Sequence, residues 1–165
     1  MNRPSRDETS MDLAKVMAKR STCQRGLVGV VISREGRVLS TGYNGVPAGM
    51  PHCDHTCSCK DVVHLRPLLQ DKVHNVHFPQ CDFHPDSRCT KVVHAEANAV
   101  SFAARHGIAL EGAEVFTTLA PCSQCAKLLI NAGVVAVHCG QEYSAHEGVE
   151  LLRSAGIRVV YPFSM

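Results

Sequence analysis

The chain has 165 residues, enough for one domain with a real core and too few for two ordinary ones. Its 17 lysines and arginines against 15 acidic residues give a formal charge of +2, with 45% of residues hydrophobic and 19% charged, which argues against a disordered chain and a strongly basic nucleic-acid module. No window approaches the eighteen or so apolar residues that span a bilayer, and the polar start Met1-Asn2-Arg3-Pro4-Ser5-Arg6 lacks the apolar stretch of a signal peptide, so a single cytoplasmic domain over residues 1–165, with no membrane partner, is expected.

Met11, Leu13, Val16 and Met17 have helical spacing and predict a helix from Ser10 to near Thr22. Leu27 to Ile32 is an apolar run rich in β-branched residues and predicts a strand. Arg34-Glu35-Gly36 supplies a turn, and a second short strand from Val38 to Thr41 completes a hairpin before a loop that begins at Gly42 and runs to Pro47. From about Pro51 to Thr90 periodicity disappears. That stretch holds Cys53, Cys57, Cys59, Cys81 and Cys89 and six of the ten histidines, His55 and His84 among them. An insertion of this length inside a compact domain calls for a metal clip.

Order returns after Val92 with a helix from Ala95 to Arg105 closed by Gly107, then a strand from Ala113 to Leu119. A helix from Cys122 to Asn131 closed by Gly133 follows, then a strand from Val134 to Cys139. A helix from His146 to Ser154 closed by Gly156 leads to a last strand, Ile157 to Tyr161. Helices between the last three strands imply parallel crossovers, and the hairpin joins the other side of the sheet. The expected fold is α/β: a three-layer α/β/α sandwich around a five-stranded mixed sheet.

Nine cysteines, an odd number, without a secretory signal favour metal binding over disulfides. His94-Ala95-Glu96 and, after a strand, Pro121-Cys122-Ser123-Gln124-Cys125 carry the strongest chemical signal. Three ligands from two helix starts hold Zn²⁺ and leave a fourth position for water, and helix N-termini favour thiolate over thiol. Glu96 stands free to move protons. A redox Cys-x-x-Cys needs no preceding His-x-Glu, and a structural zinc site would need a fourth protein ligand and leave Glu96 without a role. His-x-Glu with Pro-Cys-x-x-Cys is the signature of zinc nucleobase deaminases.

The wider sequence resembles the deoxycytidylate (dCMP) deaminase family within the cytidine deaminase-like superfamily. The matching stretches are Arg20-Ser21-Thr22-Cys23, Val28-Gly29-Val30-Val31, Thr41-Gly42-Tyr43-Asn44-Gly45-Val46-Pro47-Ala48-Gly49, His94-Ala95-Glu96-Ala97-Asn98-Ala99 and Thr118 through Lys127. The resemblance implies zinc-dependent hydrolysis of dCMP to dUMP and ammonia in deoxynucleotide metabolism, with 5-substituted dCMP as a further substrate class. It also implies zinc on His94, Cys122 and Cys125, with Glu96 shuttling protons. In the same terms Arg20 and Ser21 belong to a phosphate pocket, Asn44 meets sugar and phosphate, Tyr143 lies against the base, and Asn98 supports the nucleotide loops. A second, structural zinc is implied for the insertion, from Cys53 and Cys89 with partners among Cys57, Cys59, Cys81, His55 and His84. Spacing does not choose between these partners. The family further implies a homohexamer, dCTP and dTTP as allosteric effectors, and Mg²⁺ accompanying a triphosphate. The alternatives are a deaminase that edits tRNA or single-stranded DNA with the same zinc chemistry, against which near-neutral charge counts, and a non-catalytic nucleotide sensor, against which Glu96 counts.

Overall fold

A computed structural model of the chain describes residues 3–23, 26–50, 92–141 and 146–161. Helix α1 spans Arg6–Ala18, four residues earlier at its start and its end than the hydrophobic spacing predicts. The start is set by a capping box: the Glu8 backbone N–H donates to Ser5 Oγ at 3.1 Å and the Ser5 N–H donates to Glu8 Oε2 at 2.6 Å. Such a first turn is polar, so apolar periodicity passes over it. At the other end Arg20 and Ser21 close tighter turns onto the Met17 and Ala18 carbonyls.

Strands β1 (Gly29–Arg34) and β2 (Arg37–Tyr43) form the expected hairpin. Glu35 and Gly36 both have positive φ, 55° and 76°, as a two-residue turn matched to strand twist requires. Gly42 and Tyr43, expected in a loop, are strand residues because they pair with Val30 and Gly29. The elements that follow keep the predicted order: α2 (Ala95–Arg105), β3 (Glu114–Thr117), α3 (Ser123–Asn131), β4 (Ala136–Cys139), α4 (Glu147–Ser154) and β5 (Arg158–Val160). The last three strands are shorter, by one or two residues at an end, than the apolar runs that announce them. Gly107, Gly133 and Gly156, just past the three later helices, all take the left-handed conformation that ends a helix.

The five strands order β2-β1-β3-β4-β5, antiparallel from β2 to β3 and parallel from β3 to β5. Alternation sorts the side chains of β1 and β3 between two layers. Val30, Ile32 and Val115 join Ala95, Ala99, Leu129 and Leu152 in the larger core, beneath α2, α3 and α4. Val31 and Phe116 pack with Met11 and Ala14 of α1 on the opposite face. Helix α2 comes unusually close to β2, because its inward residues are alanines and Gly42 has no side chain. A Cβ at Gly42 would overlap the Ala95 carbonyl and stand 2.7 Å from the Ala99 nitrogen. One rim of the sheet therefore gathers the start of β1 and the ends of β2, β3 and β4. Among the described residues no helix is long and apolar enough to cross a membrane.

Candidate metal centre

Helices α2 and α3 begin at that rim, and each presents a ligating residue as its N-cap. His94 caps α2 and Cys122 caps α3, both with extended backbone and neither with a side-chain bond to its own helix. Ser, Thr, Asp or Asn ordinarily takes this position and turns inward; here the two side chains meet each other. Cys122 Sγ and Cys125 Sγ each lie 3.5 Å from His94 Nδ1. All three donor atoms fall within 4.8 Å of one another.

Those separations test the fit of a metal. A nitrogen and a sulfur at ordinary zinc distances, set at the tetrahedral angle, stand about 3.6 Å apart. The observed edges match, and one imidazole with two thiols is a zinc donor set. Among the described residues no fourth donor joins the three, which leaves one corner of the tetrahedron for a non-protein ligand.

The electrostatics follow from burial and crowding. The Cys125 thiol donates to Cys122 and, with His94 adjacent, holds the Cys122 thiolate at about 3, against the effect of burial. Cys125 moves upward for the reciprocal reason, the bond to Cys122 first and burial second, so the metal-free pair keeps one proton between them. Glu96, in the first turn of α2, is buried, and that burial raises its pKa. A carboxyl so placed exchanges protons closer to neutrality than an exposed one.

The structure joins several other predicted residues but gives them internal partners. Ser21 Oγ donates to the Asn44 carbonyl at 2.8 Å and accepts from the Cys23 N–H at 3.1 Å. The Asn44 carboxamide accepts from the Val28 N–H at 2.9 Å and donates to the Gly26 carbonyl at 2.8 Å. Asn98 Nδ2 donates to the Tyr43 carbonyl at 3.0 Å, tying α2 to the end of β2. The exposed Arg20 places its guanidinium 5.8 Å from the centre of the Tyr43 ring. Tyr143 and the insertion candidates Cys53, His55, Cys57, Cys59, Cys81, His84 and Cys89 lie outside the described residues.

Two supports escaped the sequence. Gly45 and Val93 exchange backbone hydrogen bonds of 3.1 and 2.9 Å, fixing the residue before His94 to the loop after β2. Gly148 lets α4 abut the segment that carries Cys122: a Cβ there would overlap the Pro121 carbonyl oxygen and stand 2.8 Å from the Cys122 carbonyl carbon. Neither leaves a sequence signal, because each depends on what the fold brings alongside.

Compared with known proteins, residues 4–141 match the cytidine and deoxycytidylate deaminase zinc-binding region, which covers most of the chain and includes all three donors and Glu96. The chain belongs to this family. A relative named deoxycytidylate deaminase from Enterobacteria phage T2 is 33% identical over 172 residues, covering 92% of this chain and 89% of that one. Another deaminase of that name, from Mycobacterium phage D29, is 36% identical over 137 residues, covering 83% and 95%. Among solved structures, the dCMP deaminase of cyanophage S-TIM5 in complex with dCMP and dUMP superposes with a TM-score of 0.72 at 28% identity, covering 97% of this chain and 98% of that one. Within the deaminase family the expected mixed-sheet fold is therefore correct.

Proposed function

We propose that this chain is a zinc-dependent dCMP deaminase, converting dCMP and water to dUMP and ammonia. The observation that carries the reading is the cluster of His94, Cys122 and Cys125, its two nitrogen–sulfur edges at the spacing zinc requires, with Glu96 buried two residues from the first of them. The substrate comes from the phage relatives, whose names specify deoxycytidylate. Zinc, when bound, supplies a Lewis acid that makes water nucleophilic near neutral pH. His94, Cys122 and Cys125 hold it. Glu96 accepts a proton from the attacking water and passes it to the ring nitrogen beside C4. As the C4–N bond breaks, Glu96 carries the remaining proton of the oxygen added at C4 to the amino nitrogen; ammonia leaves, C4 is left as the carbonyl, and Glu96 ends as it began.

Around this centre Asn44 fixes the backbone against which sugar and phosphate lie, and Arg20 contributes positive charge for the phosphate. Ser21 and Asn98 hold that loop to its neighbours, and Tyr143 is assigned to the base. A second zinc is drawn from Cys53, Cys57, Cys59, His84 and Cys89. A hexameric assembly regulated by dCTP and dTTP with Mg²⁺, in the cytoplasm, completes the reading. The test is ammonia release from the zinc-loaded protein offered dCMP, 5-methyl-dCMP, dCTP, deoxycytidine and a short single-stranded oligonucleotide. Turnover confined to the monophosphates is expected; turnover of the oligonucleotide alone overturns the substrate assignment and leaves the chemistry intact.

A further inference from the structure

Strand β3 ends at Thr117, and by Cys122 the chain has left the sheet and reached the start of α3. Two hydroxyls stand at the point of departure. Thr117, fully buried, donates from Oγ1 to the Leu119 carbonyl at 2.8 Å. Thr118 departs from the regular pattern. It faces Gly29 one step beyond the Val30–Thr117 pair, and its N–H donates to the Gly29 carbonyl at 3.1 Å. In a regular hydrogen-bonded antiparallel pair the two residues exchange both N–H···O bonds. Here the Gly29 N–H donates instead to Thr118 Oγ1, also at 3.1 Å.

The side chain thus stands in for its own main chain. The Thr118 carbonyl is released from β1 and lies over Gly140, where a Cβ would stand 3.1 Å from it. Other neighbours take up the residues that follow: the Ala120 N–H donates to the Gln141 carbonyl at 2.9 Å, and the Pro121 carbonyl abuts Gly148 of α4. Gly29 is buried, and a buried N–H is seldom left unpaired. Without the hydroxyl it turns to its regular partner, the Thr118 carbonyl. That bond rotates the peptide after Thr118, extends β3 by one residue and changes the direction in which the chain leaves the sheet, just ahead of a metal ligand. Zinc geometry tolerates only about 0.2 Å.

We infer that Thr118 is a positioning residue for the metal centre, its hydroxyl setting the path of the segment that brings Cys122 Sγ to His94 Nδ1. The inference rests on the zinc site of the reading above and adds a residue that acts on it through the backbone.

The experiment compares wild type, Thr118→Val and Thr118→Ser, with Cys125→Ser marking what zinc binds elsewhere on the chain. It measures zinc affinity by competition with a chromophoric chelator, visible absorption of the cobalt(II)-substituted protein, thermal unfolding with and without chelator, and kinetics on dCMP. Thr118→Val keeps the side chain's shape and removes the hydroxyl. It is expected to bind zinc about tenfold more weakly. Its cobalt(II) bands should shift, because they report the arrangement of ligands around the metal. With zinc saturating, kcat falls while KM stays within about twofold of wild type. The zinc-loaded melting temperature drops more than the metal-free one, as weaker binding to the folded state requires. Thr118→Ser restores the acceptor and with it the affinity and the bands. A merely structural role lowers both melting temperatures equally and leaves affinity and bands unchanged, which overturns the inference. Thr118→Ser as impaired as Thr118→Val also overturns it. If Thr118→Val does not fold, Thr118→Ala takes its place with the same expectation for zinc. A wild-type protein that binds zinc through Cys125 but does not turn over dCMP removes the deaminase reading alone; one that binds no zinc there removes both.

Discussion

Replacing Gly148 with alanine sets two physical effects against each other. Gly148 lies inside α4, where alanine is preferred to glycine by about 1 kcal/mol on helix propensity alone. Yet the added methyl lands where backbone already stands: the Cys122 carbonyl carbon and oxygen are 2.8 and 3.0 Å from its ideal position, and the Pro121 oxygen is nearer still. Ordinary contact begins at 3.4 Å, and no flexible side chain is available to give way. Helix α4 and the Cys122 segment must therefore separate by about 1 Å, and overpacking of this kind costs about 1–3 kcal/mol. Because the clash is with backbone the upper half of that range applies and sterics win, with a net loss on the order of 1–2 kcal/mol after the propensity gain, or about 2–8 °C in melting temperature. The displacement also falls on a metal ligand. Zinc geometry tolerates about 0.2 Å, so zinc affinity should drop about 10- to 100-fold. Melting with and without chelator, together with competition against a chromophoric zinc chelator, measures both. A Gly148→Ala protein as stable as wild type, with unchanged zinc affinity, refutes the tight approach of α4 to Cys122.

Glu96→Gln keeps the shape of the site and removes the proton carrier, so zinc content should persist while kcat falls at least about 10²-fold; substantial turnover by this variant rejects Glu96 as the proton shuttle. Cys139, fully buried at the end of β4, has its thiol pushed up to about 12 by burial, with the charge of Glu96 adding to the effect. The folded chain thus keeps a proton that the unfolded chain releases above the ordinary thiol range, and the stability this contributes is complete below about pH 8.5 and lost as pH rises toward 12. Urea unfolding between pH 8 and 11 should show that decline, and Cys139→Ala should flatten it; equal slopes in the two proteins reject the assignment. If the insertion cysteines hold a second zinc, metal analysis should find two per chain, with Cys53→Ser and Cys89→Ser each reducing the count to one and leaving the His94 site loaded. One zinc per chain in the wild type removes that site.

The chemistry was legible because zinc ligation leaves its mark in local spacing: His94 and Glu96 stand two apart, Cys122 and Cys125 three apart, and each pair opens a helix. The element order was legible for a similar reason, since glycines at 107, 133 and 156 punctuate strongly periodic segments. What sequence could not convey is which partner a polar group finds. Ser21 and Thr22 are neighbours with the same functional group, and only tertiary placement gives one two backbone partners and leaves the other's hydroxyl without a partner among the described residues. Asn44 likewise reads as a ligand contact, while the fold already engages both ends of its carboxamide. The polar first turn of α1 and the pairing of Gly42 and Tyr43 were missed because each is decided by a contact partner, a cap in one case and a neighbouring strand in the other.

The bridge between Gly45 and Val93 has a wider consequence. It brings together two points of the chain far apart in sequence, just after the end of β2 and just before His94 at the start of α2. Closure entropy grows only logarithmically with length, so halving or doubling the intervening stretch changes it by about 0.6 kcal/mol. The two hydrogen bonds therefore act as a grommet, fixing the residue before His94 to the loop after β2 at a closure cost that depends only weakly on the length of chain between them.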